Sequence, residues 1–169
     1  MKRLDIFKAA ERLMGMDDEA WARHANPWSV FTRFTCLPLI VLAIWSRVWI
    51  GWWALMPLAL ALLWTWANPR LFAAPKTMES WAAKGVLGER LFLNRHKVPV
   101  AAHHLRMAYI LTGLSGVGMI VLGYGLGILD PWATICGLVL SIGPKVWFVD
   151  RMVWILQDAN AAPSRSTCL

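Results

Sequence analysis

The chain has 169 residues, 58% of them apolar and 16% charged, with 12 tryptophans and a formal charge of +7. Soluble domains carry about 45–50% apolar and about 25% charged residues, so this composition excludes a disordered chain and argues against an ordinary soluble domain. It points to a membrane protein with an all-α bundle.

Residues 1–33 hold eleven charges and no apolar core of signal-peptide length, so this segment is expected to stay on the protein. Leu4, Phe7, Leu13 and Met14 can share one helix face, and residues 1–25 read as an amphipathic segment on the cytoplasmic membrane surface. Met16 would serve as an alternative start.

A membrane domain of four spans is expected over residues 26–157, at about 30–48, 53–68, 107–128 and 131–149. The 22 residues between Arg47 and Arg70, and the 23 between Arg106 and Asp130, carry no formal charge. Each can cross a hydrocarbon core of about 30 Å as a helix. The first span is bounded by Arg33 and Arg47, whose side chains can snorkel outward. The fourth contains Lys145 near its inner end and becomes apolar again through Val149.

Local signals mark the helix ends. Asn26-Pro27-Trp28 and Asp130-Pro131-Trp132 each place a capping side chain before a Pro at the first helical position. Asn68-Pro69 is expected to close the second span. Pro38, Pro57 and Pro144 fall inside spans and should bend them. Small residues recur at Gly123 and Gly127, and at Ala133, Gly137 and Ser141. Such spacing lets helix backbones approach closely, so spans three and four should pack on each other, and the small-residue faces admit a homo-oligomer. Lys145 continues the second stripe and is expected to face protein.

The central loop, about residues 69–106, is basic and reads as a surface-bound segment, with Val86-Leu87 and Leu91-Phe92-Leu93 dipping into the interface. Residues 158–169 are small and polar and read as a disordered tail.

Charge sets the orientation. Of the 17 Lys and Arg residues, only Arg47 falls in an outer hairpin turn. The rest lie on the side that should be cytoplasmic, with both termini, in the plasma membrane. Tryptophans near the span ends agree, as interfacial anchors. The positive charge is therefore a topology signal, its partner being the bilayer and its anionic headgroups. Nucleic acid is not expected.

Chemical motifs are sparse. Cys36, Cys136 and Cys168 are far apart, with no CxxC pair, so neither a disulfide framework nor a zinc site is expected. Nucleophile elbows and phosphate-binding loops are absent. His24, His96, His103 and His104 lack the number and spacing of a membrane di-iron enzyme. No cofactor or metal is expected, and catalytic residues are unknown. His24, Arg33, Asn68, Arg70, His103, His104, Lys145, Asp150 and Arg151 all fall at the inner ends of the spans. They are expected to converge as a ligand-binding cluster, with Asp150 paired to an Arg and room for an anion.

The stretches His24-Ala-Asn-Pro-Trp-Ser-Val-Phe-Thr-Arg33, Asn68-Pro-Arg-Leu-Phe72, Gly85-Val-Leu-Gly-Glu-Arg90, Val98-Pro-Val-Ala-Ala-His-His104 and Lys145-Val-Trp-Phe-Val-Asp-Arg-Met-Val-Trp154 carry a resemblance. Over about Met16 to Gln157 the chain resembles small bacterial and archaeal multi-pass membrane proteins classed as a domain of unknown function. The resemblance implies a membrane protein and no particular reaction. Residues 1–15 and the tail look like additions to that pattern.

The functional reading is a non-enzymatic membrane module that binds a lipid or small anion at the cytoplasmic interface, or is a subunit of a membrane assembly. The alternatives are a carrier or channel using Lys145 and Asp150, and a membrane enzyme using His24, His103, His104 and Asp150.

Overall fold

The computed structural model describes residues 18–96 and 98–161. Among these residues all regular structure is helical. The helices are α1 (Asp18–His24), α2 (Pro27–Phe34), α3 (Cys36–Trp45), α4 (Arg47–Ile50), a 3-10 turn (Gly51–Ala54), α5 (Leu55–Leu71), α6 (Trp81–Leu93), α7 (Ala102–Ile128) and α8 (Pro131–Ala161). The amphipathic face at Leu4, Phe7, Leu13 and Met14 lies outside the described residues.

Three helical runs are long and apolar enough to cross a membrane: Pro27–Leu71, Ala102–Ile128 and Pro131–Ala161. The first of them doubles back on itself. Gly51 has φ +56° and ψ −130°, a conformation open to glycine because it lacks a Cβ. Beyond it α5 returns along α3. A buried polar group fixes the register of the two arms. Asn68 Oδ1 accepts from Ser29 Oγ at 3.2 Å, and Asn68 Nδ2 donates to Thr32 Oγ1 at 2.7 Å.

The first helix of this hairpin starts as its sequence predicts. Asn26 Oδ1 accepts from Trp28 N at 2.9 Å, with Pro27 at the first helical position. The break between α2 and α3 at Thr35 follows from Pro38, whose ring crowds the carbonyl four residues back, at Phe34. Asn68-Pro69 does not end the second arm: α5 continues through Pro69 to Leu71. There Arg70 Nη1 donates to Trp66 O at 2.7 Å and satisfies a carbonyl of the last turn.

Helices α7 and α8 form the second hairpin. Asp130 Oδ1 caps α8 by accepting from Ala133 N at 2.6 Å. The pair meets backbone to backbone. A Cβ on Gly118 would stand 2.5 Å from Leu140 C, and one on Gly137 would stand 2.3 Å from Leu122 N. Ser115 Oγ donates to Ser141 O at 2.8 Å across the same seam. The Gly137 and Ser141 positions are thus used as their spacing suggests. Gly123 and Gly127 are not, since nothing lies within 4 Å of a Cβ at either. Arg47 donates to the carbonyls of Leu126 and Gly127, so this cation sits on the negative end of α7.

The central segment departs most from expectation. Instead of a surface-bound loop, residues Trp81–Leu93 form α6, capped by Ser80 Oγ accepting from Ala83 N at 3.2 Å. Its apolar residues pack into protein. Val86 and Leu93 share a buried cluster with Trp21, Ala25 and Val30. Phe92, fully buried, meets Phe148 edge-on at 5.9 Å in a second cluster with Leu111 and Met152. Helix α6 therefore joins the first hairpin to the second at their common basic end. The C-terminal boundary shifts too: α8 runs unbroken through Pro144 and on to Ala161, into the segment expected to be tail.

Candidate functional site

The basic end of the bundle holds a buried histidine–arginine pair. His24 closes α1 and is 6% exposed. Its ring lies 5.8 Å from that of Trp21. Arg33, in the last turn of α2, places Nη1 2.6 Å from His24 Nε2. A guanidinium has donors only, so Nε2 must be the acceptor and the ring proton must sit on Nδ1. Burial, then the charges of Arg33 and Lys145, push the His24 pKa down from 6.5 to about 3. The imidazole is therefore neutral at pH 7.

This arrangement leaves two donors without acceptors. His24 Nδ1 and Arg33 Nη2 are both buried and have no hydrogen-bond partner. Glu89 on α6 is the acidic group whose field reaches Arg33, yet among the described residues Arg33 makes no ion pair. A buried N–H without a partner costs about 1–3 kcal/mol, so each of these two donors would gain from an added acceptor.

Lys145 adds a second positive group, beside Arg33. It does not face protein like the rest of its stripe: Gly137 and Ser141 are buried and Lys145 is exposed. Its Nζ lies 4.7 Å from the centre of the Phe148 ring, within cation–π range. It also lines a cavity of about 310 Å³ with Leu111, Thr112, Ser115, Met119 and Phe148.

The remaining candidates do not gather there in one cluster. Asp150 is not paired with an arginine. Its Oδ1 accepts from Trp81 Nε1 at 2.9 Å and its Oδ2 from Trp154 Nε1 at 3.2 Å. Trp81 reaches it because α6 packs along α8, and Trp154 lies one turn further along α8 itself. Arg151 has a buried Nε without a hydrogen-bond partner. Asn68 is fully buried and spends its amide on Ser29 and Thr32. Arg70 stacks over Trp66 at 4.5 Å. His103 and His104 form a separate group with a residue the sequence did not single out, Asp158, whose Oδ2 lies 2.9 Å from His104 Nε2. Asp158 lies 54 residues from His104, in the segment expected to be tail, so no local spacing links the two.

A family model described as a family of unknown function, DUF6653, matches residues 6–168. The chain belongs to DUF6653. The match reaches both ends of the sequence, so residues 6–15 and the tail up to 168 lie inside the DUF6653 pattern and are not additions to it. No curated protein and no solved structure matches the chain. DUF6653 membership brings no reaction with it.

Proposed function

We propose that this DUF6653 protein is a four-span membrane protein that binds an anionic phosphate-bearing lipid at its cytoplasmic face. The doubling back of the first apolar run at Gly51 supports two crossings there, and α7 and α8 supply two more. The concentration of Lys and Arg at the end opposite Gly51 supports a cytoplasmic location for that end, in a plasma membrane. The basic segments near it would also attract anionic headgroups.

The observation that carries the ligand reading is the pair of buried, unpartnered donors on His24 and Arg33. A headgroup phosphate offers the acceptors they lack, and charge-assisted hydrogen bonds to phosphate are the strong kind. Lys145 would add a third contact from α8. The cavity beside Lys145 is mostly apolar in lining and suits part of an acyl chain. The carrier reading gains less support, since Asp150 is held by two indoles and not by Lys145. The histidine enzyme reading loses its constellation, because the ligating group that gathers leaves out His24 and Asp150.

Native mass spectrometry of the detergent-purified protein, mixed with phosphatidylglycerol or phosphatidylcholine, tests this reading. Preferential retention of one phosphatidylglycerol, reduced in Arg33→Gln and in Lys145→Met, is the expected outcome. Equal retention of both lipids by wild-type protein would refute it.

A further inference from the structure

We propose that His103, His104 and Asp158 form a binding site for one first-row divalent cation of the zinc class. The ion would clamp the start of α7 to the far end of α8. One ligand-capable atom from each residue lies within 4.8 Å of the other two. His104 Nε2 and Asp158 Oδ2 stand 2.9 Å apart. Ligand atoms about 2.0–2.1 Å from a tetrahedral ion stand about 3.3 Å from each other, so this pair would need to part by only a few tenths of an ångström to coordinate. The rings of His103 and His104 are 4.0 Å apart at their centroids, which brings the exposed His103 to the same place.

The surroundings favour a held ion over a loose surface pair. His104 is 2% exposed. It borders a cavity of about 200 Å³ lined by Leu91, Val98, Val100 and Ile155 together with Asp158. Packing therefore fixes one imidazole in position. Asp158 is 61% exposed at its side chain and gives the ion a path from water. Two imidazoles and one carboxylate, with no thiolate, match zinc, cobalt or nickel better than magnesium or calcium, which prefer all-oxygen sets. Three protein ligands would leave a position open for water. The site does not depend on the anion site at His24 and Arg33, and either can fail alone.

The test uses full-length, tag-free protein in detergent, dialysed against Zn²⁺, with the metal-to-protein ratio read by mass spectrometry. One Zn²⁺ per chain is expected, along with a higher melting temperature in Zn²⁺. Co²⁺ should give ligand-field bands without thiolate charge transfer. His104→Ala and Asp158→Asn should each weaken binding about 10-fold or more. Because His104 is buried, His103→Ala at an exposed position gives the same reading without a packing defect. His96→Ala should bind as wild type does. Wild-type protein that takes up no more Zn²⁺ than the His103→Ala/Asp158→Asn double variant would overturn the proposal. So would a double variant that keeps one tightly held Zn²⁺.

Discussion

Gly88 lies against the backbone of Met152: a Cβ at Gly88 would stand 1.8 Å from the Met152 carbonyl oxygen. That contact sets the distance between α6 and α8, and so carries the position of everything α6 holds. A neighbouring backbone cannot swing aside as a side chain can. Gly88→Ala should therefore cost about 1–3 kcal/mol, in the range of overpacked cores. Gly113→Ala is the control, since nothing lies within 4 Å of its Cβ. It should be neutral, or stabilising by up to about 1 kcal/mol, because alanine favours helix. Thermal unfolding of the two variants in detergent checks the contrast.

Asp150 receives two indole N–H bonds, from Trp81 on α6 and Trp154 on α8 itself. Bonds to a charged acceptor are worth about 1.5–3 kcal/mol each. Trp81→Phe keeps the ring's bulk and removes one of them. It should lower stability, while Lys76→Ala in the exposed connection to α6 should change it by less than about 0.5 kcal/mol. Parallel melting curves, with tryptophan fluorescence as the probe, decide the point.

His24 gives the protein a predictable acid sensitivity. Its folded pKa is about 3 against 6.5 in the unfolded chain, lowered by burial and then by Arg33 and Lys145. Above pH 6.5 both states carry a neutral ring and the group is silent. Between 6.5 and about 3 only the unfolded state takes up the proton, so stability falls as pH falls through this window. The slope from this group approaches about 1.4 kcal/mol per pH unit. His24→Gln should flatten the stability profile between pH 6.5 and 5, where carboxylates contribute little. A variant with the wild-type slope would assign the effect to another group.

The crossing number has its own test. A reporter active only outside the cytoplasm should be active when inserted at Gly51 and inactive when fused after Ala161. Were the run from Pro27 to Leu71 a single crossing, the C-terminal fusion would lie on the opposite side from the N-terminal segment and would be active.

How legible these features were depended on whether their physics is local. The Asn26-Pro27 and Asp130-Pro131 caps could be read directly, because a cap is made within a few residues. The seam at Gly137 and Ser141 could be read from helical spacing. Spacing alone did not say which of two glycine faces is used, and Gly123 and Gly127 were named beside it although they stay open. Helix α6 is hard to read because four of its seven buried residues, Ala82, Ala83, Gly85 and Gly88, are small, which leaves Val86, Phe92 and Leu93 as short apolar islands. Residues that small bring backbones together without an apolar stripe to announce them. The site divided for a similar reason. Depth in the membrane placed nine polar residues at one level, but level does not fix azimuth around the bundle. Trp81 and Asp158, the residues that capture Asp150 and His104, come from segments 69 and 54 residues away.

An anion taken up by the unpartnered donors of His24 and Arg33 would contact His24 Nδ1–H. Nitrogen NMR of the protein with labelled histidine, in detergent, observes one of those donors directly. His24 should appear as the neutral Nδ1–H tautomer at pH 7, and phosphatidylglycerol should move its Nδ1–H resonance while phosphatidylcholine leaves it in place. An Nε2–H tautomer, or an Nδ1–H resonance indifferent to the anionic lipid, would rule out an anion held by this pair.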